Sequence, residues 1–158
     1  MQLEISSLAE HPGFLDILCE WHHIQWGYLY PNGGSIDKRS KRMQTHLTDD
    51  FIPSTFIAFN DNNIYGSAAI VECDMLDRTC YTPWIASVFV HENFRSKNVG
   101  RKLISHLLSE CIIHKIPCIY LYTPDKQEFY KHFGFEVIEE RNYMNTMVSI
   151  MKKIIFTI

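Results

Sequence analysis

Trp84-Ile-Ala-Ser-Val-Phe-Val90 is an almost continuously apolar run. Directly after it, Asn98–His114 repeats apolar residues at helical spacing, with Val99, Leu103, Ile104, Leu107, Leu108, Cys111 and Ile112 on one face. A strand with no polar alternation is expected to be buried on both faces, in the middle of a sheet. Pro117 ends the helix, and Cys118–Tyr122 reads as a short strand. Upstream, Thr55–Phe59 and Ile64–Cys73 flank Asn60-Asp-Asn-Asn63, a hairpin signal because Asn and Asp tolerate positive φ. Downstream, Asp125–Phe133 reads as a short helix stopped by Gly134, and Phe135–Glu140 and Met144–Met151 as two closing strands. Before the hairpin, Pro12–Tyr28 carries Phe14, Ile17, Leu18, Trp21, Ile24 and Tyr28 near helical period. A turn at Tyr30–Ser35 then leads to a thinner stripe of Ile36, Met43 and Leu47. The expected fold class is α+β, with a mixed, largely antiparallel sheet.

Composition narrows the function. With 158 residues, 46% apolar and 21% charged, the chain suits one domain over residues 1–158. A net charge of -3 gives no global pull toward nucleic acid or an anionic membrane, so neither is an expected partner. Met1–Gly13 lacks a basic leader pattern and no window approaches the roughly 18 apolar residues of a membrane span, so a cytoplasmic protein is expected. The five cysteines are scattered without a C-x-x-C pair and are expected to be reduced and mostly buried. His106, Glu110 and His114 share the polar side of one helix, and His22 and His23 diverge by about 100°, so no metal is expected.

The segment with chemical character is Val88-Phe-Val-His-Glu-Asn-Phe-Arg-Ser-Lys-Asn-Val-Gly-Arg101, a buried strand passing through a cationic loop into a helix. Helix N-termini expose unpaired N–H groups at a positive dipole end, and Arg95, Lys97 and Arg101 add full charges. Gly100 removes a Cβ that would keep a pyrophosphate from the backbone, and Asn98 suits either a left-handed turn or an N-cap. Alone, these residues would equally suit a capped helix with solvated cations. A second basic run, Lys38-Arg39-Ser40-Lys41-Arg42, reads as a solvated helix face that could also hold an anion.

Thirty residues beyond Gly100 comes Phe129-Tyr-Lys-His-Phe-Gly-Phe135. With both segments in register the sequence resembles the GNAT superfamily of acetyl-CoA-dependent N-acetyltransferases, whose hallmark V-x-V-x-x-x-x-R/Q-x-x-G-x-G/A is followed by Y-x-x-x-G-F. The matching residues are Val88, Val90, Arg95, Asn98, Gly100, Tyr130, Gly134 and Phe135. Asn98 stands where the family usually has its first glycine, and Thr123 where it often has an asparagine. The resemblance implies the GNAT fold and acetyl-CoA as cosubstrate. It also implies a cofactor site at Val88, Phe89, Val90, Arg95, Ser96, Lys97, Asn98, Val99, Gly100, Arg101 and Tyr130.

It further implies direct attack of an amine on the thioester, with an oxyanion held by a backbone N–H near Val88–Val90 and a proton given to the leaving thiolate by Tyr130. Where histone-type relatives carry a glutamate base, this chain has Trp84; Glu72 and Asp74 are the nearest acidic candidates, and Glu72 is the expected base. Trp84, Ser87, Tyr122 and Thr123 are expected along the acceptor. The expected acceptor is the primary amine of a small molecule or of a peptide N-terminus. Glu72, Asp74 and Asp77 would favour a cationic one. A homodimer is compatible with this reading. A noncatalytic acyl-CoA-binding regulatory module is the competing one.

Overall fold

The computed structural model describes residues 2–157. Among these residues, seven strands and four α-helices follow in the order β1 (Glu4–Ser7), α1 (Leu15–Trp26), α2 (Ile36–Gln44), β2 (Ser54–Asn60), β3 (Asn63–Val71), β4 (Trp84–Val90), α3 (Val99–Ile113), β5 (Cys118–Thr123), α4 (Gln127–Lys131), β6 (Glu136–Tyr143) and β7 (Thr146–Ile154). They form one sheet ordered β1-β2-β3-β4-β5-β7-β6. The apolar run Trp84–Val90 is its central strand. Every neighbouring pair is antiparallel except β4 and β5. A parallel pair needs a crossover, and α3 supplies it.

Strand periodicity sends alternate residues of β2 to opposite faces. Phe56 and Ala58 join Leu103, Ile104, Leu107 and Cys111 of α3 in one core, while Ile57 and Phe59 join Leu15, Leu18 and Cys19 of α1 and Met43 of α2 in a second. A third cluster of Met75, Trp84, Tyr120, Val148 and Ile150 lies under the β3–β4 connection. That connection is tied to β6 by charge: Asp77 takes both guanidinium nitrogens of Arg141 at 2.9 and 2.7 Å, and Arg78 pairs with Glu139.

Several expectations need correcting. The buried face of α1 is Leu15, Leu18, Cys19 and His22, whereas Ile24 is 81% exposed and Tyr28 is exposed too. The face is turned because His22 is buried through a 3.0 Å hydrogen bond to Ser67 on β3, and His46 anchors the end of α2 in the same way on Thr55, at 2.8 Å. Ile112 of α3 is exposed. Met144 belongs to the β6–β7 turn, where it and Asn145 have φ of 50° and 62°, the two-residue geometry of a tight hairpin. Of the five free cysteines, Cys19 and Cys111 are buried but Cys73 and Cys80 are exposed, so burial is not the rule. β1 was not anticipated: four residues with one strong β-former carry little pattern, and pairing with the edge of β2 supplies what local preference does not.

Candidate functional site

Two irregularities in β4 open the sheet. Its ladder with β3 runs through Ala69↔Ala86 and resumes at Ser67↔Phe89, so Ala68 faces both Ser87 and Val88. Ser87 sits at φ 52°, a bulge that bends the strand. On the other edge, β4 meets β5 at Trp84↔Tyr120, with the Tyr120 N–H donating to the Pro83 carbonyl at 3.0 Å. Beyond that pair the two parallel strands part. The β4 edge from Ile85 to Val90 thus has no ladder partner on its β5 side among the described residues, and can receive an extended ligand.

The gap leads to the loop before α3. Ser96 and Asn98 both adopt left-handed φ, 61° and 64°, and successive turns of this kind gather backbone N–H groups into an anion-binding concavity. Asn98 serves the turn and not the cap, since its side chain makes no capping bond. The first intrahelical bond is from the Lys102 N–H to the Asn98 carbonyl, 3.0 Å, which leaves the amides of Val99, Gly100 and Arg101 at the open helix end. In α2, by contrast, Ser35 Oγ accepts the Lys38 N–H. A Cβ on Gly100 would meet Phe129 Cζ at 3.6 Å and Val90 Cγ2 at 3.7 Å, ordinary contacts. The protein's own packing therefore does not require glycine there; glycine keeps the approach to the helix end clear.

The cations flank this cradle. Arg95 Nε donates to the Val90 carbonyl at 3.1 Å, Lys97 lies over Phe94 at 5.8 Å, and Arg101 lies over Phe129 at 5.9 Å. Val88 and Val90 pack toward the α3 core. Phe89 points the other way, against Trp21 and His22 of α1, so only its backbone borders the gap.

Tyr130, on α4, is 7% exposed and packs edge-on to Phe129 and Phe135. Gly134, at φ +88°, lets the chain turn so that the Phe135 N–H reaches the Tyr130 carbonyl. Burial pushes the Tyr130 phenol well above its ordinary range, which keeps it protonated.

The residues expected along an acceptor separate. Trp84 is 0% exposed and fills the core, packing edge-on to Tyr122 with ring centres 6.2 Å apart. Thr123 is buried and its Oγ1 accepts the Lys126 N–H at 3.0 Å, a turn cap leading to α4. Neither lines an acceptor surface. Ser87 is exposed at the bulge, and half-buried Tyr122 packs on Tyr143 at 5.4 Å. Glu72 is exposed, with its backbone carbonyl taken by Thr82 Oγ1. Asp74 is half-buried within electrostatic reach of Tyr122, Tyr143 and Arg42, and burial lifts its carboxyl to about 7, against a smaller opposing pull from Arg42. Tyr143 and Tyr30 were not anticipated here. Their only signal is aromatic character, and bringing them to Tyr122 depends on the strand order β5-β7-β6 and on the α1–α2 turn.

A group of at least three His, Cys, Asp or Glu side chains placed to hold a metal ion is absent among the described residues. No helix among them is long and apolar enough to cross a membrane.

Among solved structures, an aminoglycoside 6'-N-acetyltransferase complexed with coenzyme A is similar, at 16% identity and a TM-score of 0.76 over 98% of each chain. A Salmonella typhimurium protein described as an acetyltransferase, solved with its cofactor acetyl-CoA, has 14% identity and a TM-score of 0.75 over 97% of this chain and 94% of that one. A ribosomal-protein alanine N-acetyltransferase from Escherichia coli has 18% identity and a TM-score of 0.69 over 99% and 96%. These likenesses establish the fold. A search of curated protein sequences gave no match. The family model described as the acetyltransferase (GNAT) domain matches residues 53–137, which contain the bulged strand, the open helix end and Tyr130. The chain belongs to the GNAT acetyltransferase family.

Proposed function

We propose that the chain is a single cytoplasmic acetyltransferase domain that uses acetyl-CoA to acetylate a primary amine. The observation that carries the reading is the uncapped N-terminus of α3, where the protein's own packing does not require Gly100 to be glycine, at the end of the β4 strand that parts from β5. Acetyl-CoA, when bound, supplies an acetyl group activated as a thioester.

The open amides of Val99, Gly100 and Arg101 hold the pyrophosphate, helped by Arg95, Ser96, Lys97 and Asn98. The edge of Val88, Phe89 and Val90 holds the extended arm, and a backbone N–H of this bulged stretch steadies the carbonyl oxygen as it gains charge. Asp74 takes the proton from the attacking amine. It is preferred over Glu72 because a carboxyl near 7 is both a stronger base than an exposed one and ionised in useful amount at neutrality. Tyr130 gives its phenolic proton to the departing thiolate as the C–S bond breaks. Tyr122 and Ser87 border the acceptor.

The test is release of free thiol with matching amine acetylation over a panel of amines, for the wild type and for Tyr130→Phe. Acid catalysis is worth about 10²- to 10⁴-fold and a water can replace the phenol, so kcat should fall by about 10²-fold with acetyl-CoA affinity unchanged. Full turnover in the Phe variant would remove Tyr130 from the chemistry. Acetyl-CoA binding without thiol release for any amine would favour the noncatalytic module.

A further inference from the structure

The basic run on α2 is not simply a solvated face. Arg39 is 8% exposed, and its Nε is buried without a hydrogen-bond partner. Arg39 and Arg42 each place their guanidinium carbon 5.9 Å from the ring centre of Tyr30. Together with Lys38, Ser35 and Gly34 they line a cavity of about 430 Å³. Among the described residues no carboxylate pairs with Lys38, Arg39 or Arg42, whereas Arg78 and Arg141 each hold one. Cations gathered around one ring without a counter-charge repel one another, and a guanidinium buried among them is costly until an anion arrives.

The place of the cavity says what that anion belongs to. Arg42 is within electrostatic reach of Asp74, and Tyr30 within reach of Tyr122 and Tyr143. The cavity therefore neighbours the amine's proton acceptor, on the face of α1 and α2, while the α3 helix end serves the other core. Asp77, one of the acidic residues expected to draw a cationic substrate, is already committed to Arg141.

We infer that this cavity reads an anionic group, a carboxylate or a phosphate, on the molecule that presents the amine, so the acceptor is an amine with an acidic arm. The inference rests on the acetyltransferase reading of the site. Both anions match the planar fork of arginine.

The test titrates CoA-saturated protein by calorimetry with N-acetylated ω-amino acids of increasing chain length, with N-acetylated aminoalkyl phosphates of the same lengths, and with the neutral amides of the acids. At one length an acidic compound should bind at least about tenfold tighter than its amide, and the better of the two series identifies the anion. Arg39→Met should abolish the preference, and so should Arg42→Gln, an exposed position that keeps the test available if the buried substitution fails to fold. CoA affinity should be unchanged in both. Equal affinities at every length, a preference that survives both substitutions, or a loss of CoA affinity that assigns the cavity to the cofactor would each overturn the inference. Thiol release with the parent amines separates the two claims. Neutral amides consumed as fast as acids would leave an acetyltransferase without an anion-reading cavity. Tight binding of acidic products by a protein that acetylates none of the panel would leave the cavity without the enzyme.

Discussion

Asp74 makes the proposed chemistry sensitive to pH near neutrality. With its carboxyl lifted to about 7 by burial, the base is half protonated there, and only the ionised form accepts a proton. Below about pH 7, kcat/KM should fall by about tenfold per pH unit from this group. Asp74→Asn should lower the plateau and remove that limb, while Glu72→Gln should keep it; a limb unchanged in the Asn variant would assign the base elsewhere. Both Glu72 and Asp74 follow β3, and chain position alone favours Glu72 as the base. Only the third dimension separates them: Asp74 is half-buried within electrostatic reach of Tyr122, and Glu72 is exposed. Trp84 and Thr123 are the reverse case, with chemistry-bearing types in suitable places consumed by packing and capping.

Among the elements, β4 and α3 were legible almost to the residue. A long apolar run and a 15-residue amphipathic helix each carry a pattern that packing reinforces. The face of α1 was not legible, because a hydrophobic stripe cannot announce that a histidine will be buried by one hydrogen bond to Ser67. That histidine has a measurable consequence. Burial and the nearby Arg39 lower its pKa from 6.5 to about 3, so between those values the unfolded chain binds a proton that the folded chain refuses. Stability from His22 is complete above about 6.5 and is lost as pH falls toward 3, by up to about 1.4 kcal/mol per unit. Asp74 has the opposite sign: its carboxyl is raised from 3.8 to about 7, so its burial costs stability as pH rises through that window. Melting temperatures at pH 7 and pH 5 should show His22→Gln losing less than the wild type on acidification and Asp74→Asn losing more. Equal losses in all three would mean that neither group is held as described.

At the scale of the molecule, the α+β class and the mixed sheet follow from the succession of patterns, but the strand order does not. Placing β7 between β5 and β6 is a long-range choice, and it brings Tyr143 of β6 to Tyr122 of β5. The parting of β4 and β5 is equally invisible locally, since it arises from a bulge at Ser87 and from where a parallel pair stops. What the sequence carried clearly was the coupling of Gly100 to Tyr130, two motifs on separate helices whose meeting point is Phe129. In the proposed function the open end of α3 holds the donor's pyrophosphate. The most direct measurement is calorimetric titration of CoA into the wild type and Gly100→Val, with circular dichroism to establish that both are folded. A Cβ at this position makes only ordinary contacts with Val90 and Phe129, and a branched side chain intrudes where the ligand must approach, so affinity should fall at least about tenfold, roughly 1.4 kcal/mol, with the fold intact. A folded Gly100→Val protein that binds CoA as tightly as the wild type would show that the open end of α3 is not the pyrophosphate site.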